Sequence, residues 1–303
     1  MTRLYLISIA VLAACVPTPS VPRKPARSAQ AAPVSREPAT LTYLGVAGFR
    51  LEAGGANLLF DPYVSRLAVP DFGVRVEPDL AAIARYTPAR AAAILISHSH
   101  FDHVLDAPSI ALRTGAVLLG TDSTAALARS AGVPQAQILA AHGGEAMKLG
   151  PFDVRVVPAL HSLTGQPNLP IAPGQALPLR ARDYEEGNTL QYFVRVNGHA
   201  LYFVGTANLV DAAVSGMHPD VAIVATGLRH KVPDYTCRLL RALGFPARVV
   251  ANHFDAWQEP LVPGDMPLQP ETAADLEAFE AEVHACAPNT RVQVPVHLQP
   301  IPL

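Results

Sequence analysis

Between residues 98 and 103 the chain reads His98-Ser99-His100-Phe101-Asp102-His103. Four of these six side chains can ligate a metal. Histidines two apart at the end of an extended strand project the same way, so His98 and His100 can share one ion. The chain then turns, and Asp102 and His103 leave at a different angle, which suits a second ion. Imidazole with carboxylate is a donor set for zinc, and iron or manganese also accept it. With 11 histidines in the chain, this spacing arises by chance in roughly one sequence in a thousand. An ion with an open coordination position lowers the pKa of bound water towards about 7. The implied chemistry is hydrolysis without a protein nucleophile. The rival schemes lack residues, since there is neither a Gly-x-Ser-x-Gly elbow nor a phosphate-cradling Gly-x-x-x-x-Gly-Lys loop.

Several elements must position that cluster. Ala92–Ser97 is a continuous apolar run that reads as a buried strand delivering His98. Upstream, Leu41–Val46, Phe49–Ala53 and Asn57–Phe60 are β-rich runs separated by Gly48 and Gly54-Gly55, the spacing of an antiparallel meander. Asp79–Arg85 reads as a short helix, and Thr121-Asp122-Ser123 opens another through Ala131, ended by Gly132 and Pro134. Val154–Val157, Thr189–Val196 and Ala200–Val204 are predicted strands, the last two joined by the type I′ turn signal Asn197-Gly198. Val221–Ala225, Pro233–Leu243, Arg248–Ala251 and Thr272–Ala285 continue as strand, helix, strand, helix, and Val292–Val296 is placed to close a sheet. Two blocks of strands, each accompanied by helices, point to a two-sheet core covered by helices rather than a doubly wound parallel sheet.

The His98-x-His100-x-Asp102-His103 pattern after an apolar strand resembles the signature of the metallo-β-lactamase superfamily. Thr42–Phe49, followed by Leu58-Leu59-Phe60-Asp61-Pro62, is similar to the N-terminal hairpins of one branch. That branch contains L-ascorbate-6-phosphate lactonase and N-acyl-phosphatidylethanolamine phospholipase D. The resemblance implies an α/β fold, a four-layer αββα sandwich over residues 41–303, with metals at one edge of the sheets. It assigns His161, after Pro158-Ala159-Leu160, as the third ligand beside His98 and His100. It assigns His253, after Val249–Asn252, to the second ion with Asp102 and His103. Most members bridge both ions with an aspartate where this chain has Thr206, so the second ion is expected to bind more weakly. Asp211 would reach the site only by a shifted turn.

Around those ligands, Asp102 is expected to hold and orient the attacking oxygen, and His230 to act as an acid or substrate group. Asp61 is placed to orient a ligand imidazole. His142, His199, His218, His284 and His297 show no partner pattern. The proline-rich stretch Ser162–Gly187 would form a lid or wall. Its Arg180 and Arg182 could clamp a phosphate bidentately. The expected activity is zinc-dependent hydrolysis of a phosphodiester or related ester of the cell envelope. Lactone or β-lactam opening is the alternative, and a non-catalytic metal-binding lipoprotein with a degenerate site is another.

The ends and the composition set the context. Met1-Thr2-Arg3, a mostly apolar run from Leu4 and then Leu12-Ala13-Ala14-Cys15 form a signal segment that resembles a bacterial lipobox. Cys15 is therefore the expected lipidation site, with residues 1–14 removed and 15–40 a tether containing six prolines. The expected location is the bacterial envelope, lipid-anchored and facing the periplasm or exterior, with a small or lipid-like substrate as partner. A net charge of −2 supplies no basic field for nucleic acid. Cys237 and Cys286 both fall on predicted helices; a disulfide is open there, and two buried thiols are the favoured reading.

Overall fold

The computed structural model describes residues 37–266 and 268–303. The signal segment, Cys15 and nearly all of the tether lie outside the described residues. The folded body begins with β1 at Ala39, two residues ahead of the expected Leu41, and the Glu37 amide donates to Asn197 O at 3.3 Å.

The first sheet holds β1 (Ala39–Gly45), β2 (Gly48–Ala53), β3 (Ala56–Phe60), β4 (Ala93–Leu95), β5 (Val117–Gly120) and β6 (Ile138–Ala140). The second holds β7 (Ala146–Leu149), β8 (Phe152–Ala159), β9 (Thr189–Val196), β10 (His199–Phe203), β11 (Val221–Ala225), β12 (Arg248–Asn252) and β13 (Arg291–Gln293). The last strand, β14 (Pro300–Pro302), returns to the first sheet and pairs with β1. Its two prolines are tolerated because an edge strand needs only one side of its ladder. Strand order is β14-β1-β2-β3-β4-β5-β6 in one sheet and β13-β12-β11-β10-β9-β8-β7 in the other.

Period-two alternation divides the apolar side chains among three cores. Leu58, Phe60, Leu95, Tyr192, Val194, Leu201 and Phe203 meet between the sheets. Leu59, Ile94 and Leu118 face the other way and pack under α2 (Phe101–Val104), α3 (Ala107–Thr114) and α4 (Asp122–Ser130). On the far side Tyr202, Val224 and Val249 pack under α6 (Tyr235–Ala242) and α7 (Pro270–Cys286). Helix, sheet, sheet, helix is the four-layer αββα sandwich that the sequence implies.

Cys237 on α6 and Cys286 at the end of α7 form a disulfide, with Cα atoms 5.4 Å apart. This corrects the expectation of two buried thiols. Both cysteines are only half-buried, and the packing of α6 against α7 on the outer sheet face brings them together. The sequence does not reveal that approach across 49 residues.

The strands that run towards one edge place the site there. β3 and β4 are parallel, as are β10, β11 and β12, so Asp61, His98, Thr206 and His253 all follow strand ends at one edge. The two edges are joined: the Leu190 amide donates to Ser97 O at 2.8 Å and the Tyr192 hydroxyl to Ile96 O at 2.6 Å.

The next turn is fixed by Asp106. Its buried carboxylate accepts from the Val64 amide at 2.7 Å, the Ser65 amide at 2.8 Å and the Ser65 hydroxyl at 2.5 Å. Asp106→Ala would leave two buried amides unsatisfied. It is expected to lower stability by about 3 kcal/mol in urea denaturation, with an unchanged m-value.

Candidate metal centre

Two groups of three ligand side chains assemble at this edge: His98, His100 and His161, and Asp102, His103 and His253. Within each group the ligand atoms lie within 4.8 Å of one another. His98 Nε2 and His161 Nε2 are 3.1 Å apart, and His103 Nε2 and His253 Nε2 are 3.2 Å apart. A tetrahedral ion with bonds of about 2.0–2.1 Å separates adjacent donors by about 3.4 Å, so both spacings fit a shared cation. Asp102 Oδ2 stands 3.6 Å from His103 Nε2 and 3.7 Å from His253 Nε2. The groups adjoin, with the His98 and His103 ring centroids 3.9 Å apart.

The opposite ring nitrogens decide which way the lone pairs point. His103 Nδ1 donates to Asp61 Oδ2 at 2.9 Å, and His161 Nδ1 donates to the Ser162 carbonyl at 2.9 Å. Each Nε2 is therefore left with a bare lone pair aimed at its neighbour, an arrangement that a cation satisfies. Asp61 is itself held by the Ser97 amide at 2.7 Å and the Ser97 hydroxyl at 2.6 Å. The same hydroxyl lies 3.0 Å from His98 Nδ1, so one serine touches both halves of the centre.

Burial keeps most of the imidazoles neutral. It pushes His98 well below the usual histidine range, helped by the charges of His103 and His161. His100 falls to about 4 and His161 to about 3, burial again leading. His253 is lowered by burial and then by His103. At His103 burial opposes charging, but the Asp102 and Asp61 carboxylates outweigh it and raise the pKa. Burial also works against Asp102, yet His103, His253 and His100 hold it below the ordinary carboxylate range. Neutral imidazoles beside one ionised carboxylate are ready for a divalent ion.

Thr206 turns away from that role. Its hydroxyl donates to Ser162 Oγ at 3.0 Å and accepts from the Ser162 amide at 3.2 Å. Asn208 Nδ2 donates to His161 O at 2.9 Å, and Gln191 Nε2 to Asn208 O at 2.8 Å. The segment that could carry a bridging carboxylate instead braces the backbone of His161.

The other expected site residues are not brought to the centre. Asp211 is caught by Arg238 in an exposed ion pair at 2.5 Å. His230 sits on an exposed 3₁₀ turn, and no hydrogen bond or ion pair joins it to the cluster among the described residues. Its apparent nearness in sequence is undone by Gly227 and Leu228, which turn the chain after β11. Arg180 and Arg182 are exposed on the Ser162–Gly187 segment, with Arg182 facing Asp183 at 4.0 Å, so no preformed clamp exists.

A buried charge network carries the His253 loop, and nothing in the sequence marks it beyond the proximity of Asp255 to His253. The Asp255 carboxylate accepts from the Tyr43 hydroxyl at 2.8 Å, the Val46 amide at 2.7 Å, Arg66 at 2.9 Å and His297 at 2.8 Å.

Comparison with known proteins decides the family. The model of the β-lactamase superfamily domain matches residues 56–254. The chain belongs to the β-lactamase superfamily. A UPF0173 metal-dependent hydrolase of Pyrobaculum aerophilum is 30% identical over 246 residues, covering 81% of this chain and 92% of that protein. One from Methanopyrus kandleri is 29% identical over 261 residues, covering 84% and 95%. Among solved structures, the metallo hydrolase Igni18 of Ignicoccus hospitalis is similar, with a TM-score of 0.57, 21% identity and coverage of 88% and 99%. The chain is thus a metal-dependent hydrolase of the metallo-β-lactamase superfamily.

Two outcomes follow for this hydrolase. Total bound divalent metal measured by plasma mass spectrometry is expected to fall by about one equivalent per chain in His161→Ala and again in His253→Ala, each with the folded-state spectrum retained. Acid unfolding reports Asp255. Burial opposes its charge, but His297, Arg66 and Tyr43 hold its carboxyl at about 2. That stabilisation is complete above the unfolded value of about 4 and is lost as pH falls towards 2. Asp255→Asn is expected to be less stable at pH 7 and to show a flatter loss between pH 4 and pH 2.

Proposed function

We propose that this hydrolase uses zinc and cleaves a phosphodiester or related ester of the cell envelope. The supporting observation is the pair of adjoining three-ligand groups, open to solvent at Asp102 and His253, whose side chains are 17% and 28% exposed. When bound there, a divalent ion supplies Lewis-acid polarisation of the substrate oxygen and acidifies water. The chain supplies the rest. Asp102, held ionised by its histidine neighbours, takes the proton of the attacking water. Water oxygen bonds to phosphorus, the ester P–O bond breaks, and the proton passes to the leaving oxygen. Asp61 and Ser97 fix the His103 and His98 rings throughout. The Ser162–Gly187 segment walls the site, anchored by the Ser99 amide to Glu186 O at 2.9 Å and the Ile171 amide to Ser123 Oγ at 2.9 Å.

A lactone or β-lactam substrate is the second reading. Thr206 favours it, because true β-lactamases within the superfamily also lack the bridging aspartate. Parallel assays on bis(4-nitrophenyl) phosphate, a γ-lactone and nitrocefin separate the two readings. Phosphodiester hydrolysis is expected to vanish with chelator, return with zinc and fall at least about a hundredfold in Asp102→Ala. Turnover of the lactone or nitrocefin alone would transfer the assignment. A fully zinc-loaded chain inert on all three would make it a metal-binding protein instead.

The lipobox-like Leu12–Cys15 supports a lipid anchor at Cys15 in the bacterial envelope. Expressed in a bacterium, Cys15→Ala is expected to move from the membrane pellet to the soluble fraction. An unchanged distribution would remove the anchor.

A further inference from the structure

The metal ligands share their loops with an aromatic cluster that the fold does not fully cover. Phe101 stands between His100 and Asp102, and Trp257 lies four residues beyond His253. Their rings meet edge to face with centroids 5.2 Å apart. Phe72 packs against both, at 6.2 Å from Phe101 and 6.4 Å from Trp257. Phe101 is buried, whereas Phe72 is 56% exposed, an unusual exposure for a phenylalanine already seated on two aromatic rings.

The cluster is rigidly mounted. Arg66 Nε donates to Glu259 O at 2.6 Å and Arg66 Nη2 to Asp255 at 2.9 Å, which fixes the turn carrying Trp257. The Phe72 segment is stitched to the lid by the Arg182 amide to Phe72 O and the Ala181 amide to Val74 O, at 2.9 and 2.8 Å. Preorganised aromatic surface gives contact area at little entropic cost. The lid side offers apolar surface too, since Leu160 and Leu163 flank His161 and are each 52% exposed.

We propose that Phe72 and Trp257, seated on the buried Phe101 ring, form a subsite for an apolar group, an aryl ring or alkyl chain, attached to the scissile ester. This rests on the hydrolase reading and adds the chemical class of the substrate's non-reacting part. The occupant is a single substrate group rather than a bilayer. The exposed ring surface is essentially that of Phe72 with part of Trp257, and the exposed Asp71, Asp183 and Glu259 beside it are balanced by Arg75, Arg180 and Arg182, so the patch lacks the excess of basic charge that draws a protein to an anionic membrane.

Trp257 is the chain's single tryptophan, so its fluorescence reads the subsite directly and without turnover. The full-length, zinc-loaded chain is titrated with decyl phosphate below its aggregation threshold, with inorganic phosphate, and with phosphatidylglycerol vesicles. A saturable blue shift with decyl phosphate and none with inorganic phosphate is expected. Phe72→Ala is expected to weaken that binding about tenfold, with zinc content unchanged, and Phe72→Leu to recover part of it. An equal response to inorganic phosphate, or undiminished affinity in Phe72→Ala, overturns the subsite. A shift with vesicles alone overturns it in favour of a membrane-facing surface. Esterase assays stay separate: zinc-restored hydrolysis without any decyl phosphate shift would refute the subsite while leaving the hydrolase intact.

Discussion

Five imidazoles gathered into one small volume cannot all be protonated, and as neutral rings they cannot all point lone pairs at one another without a partner. The rest of the site is arranged around that constraint. Burial disfavours the protons at every ring, outweighed only at His103 by Asp102 and Asp61, and hydrogen bonds to Asp61 and the Ser162 carbonyl turn the lone pairs inward. One ionised carboxylate, Asp102, supplies negative charge. Each of these features is costly in the absence of a cation and becomes favourable once one is held, which is how metal binding couples to local structure. The same surroundings would serve poorly for a proton-transfer histidine at His98, His100 or His161, whose burial pushes their pKa values well below the usual range.

The sandwich meets this constraint by ending strands from both sheets at a single edge. β4 is only three residues long, yet it lies between β3 and β5 and is fully buried. The segment beyond it is gripped from the second sheet through Ser97 O and Ile96 O. His98 is thereby fixed where the two sheets meet, and His103 follows one turn later. Charged groups away from the ligands do comparable work. Asp106 ties the loop after β3 to the start of α3, while Asp255 and Arg66 secure the loop after β12. Removing either disturbs backbone that carries a ligand or its partner.

Much of this was legible locally. The His98–His103 spacing, the buried run before it and the Asn197-Gly198 hairpin are signals within ten residues or so, and local chemistry specifies them. The strands β6, β7 and β14 carry no such signal: each is three or four residues at or near a sheet edge, too short to show a period. The pairing of Asp255 with Arg66 spans 189 positions and exists only because two loops converge at one sheet edge. The Cys237–Cys286 bond depends likewise on how α6 lies against α7. His230 and Asp211 show where local reading stops. Both follow strands that end at the active edge, but the turns after those strands carry them out to solvent.

Thr206 connects the local chemistry to the larger question of substrate. A carboxylate at that position would neutralise two cations at once. The hydroxyl instead joins Ser162, and through Asn208 and Gln191 the surrounding segment stiffens the backbone of His161. Less negative charge in the centre leaves bound cations more electrophilic and gives an anionic substrate oxygen a larger share of the neutralisation. A phosphodiester brings such an oxygen with it, whereas a neutral lactone does not. Thr206 therefore bears on both substrate readings: it matches the β-lactamases that lack a bridging carboxylate, and it would leave an anionic substrate oxygen to supply the missing charge.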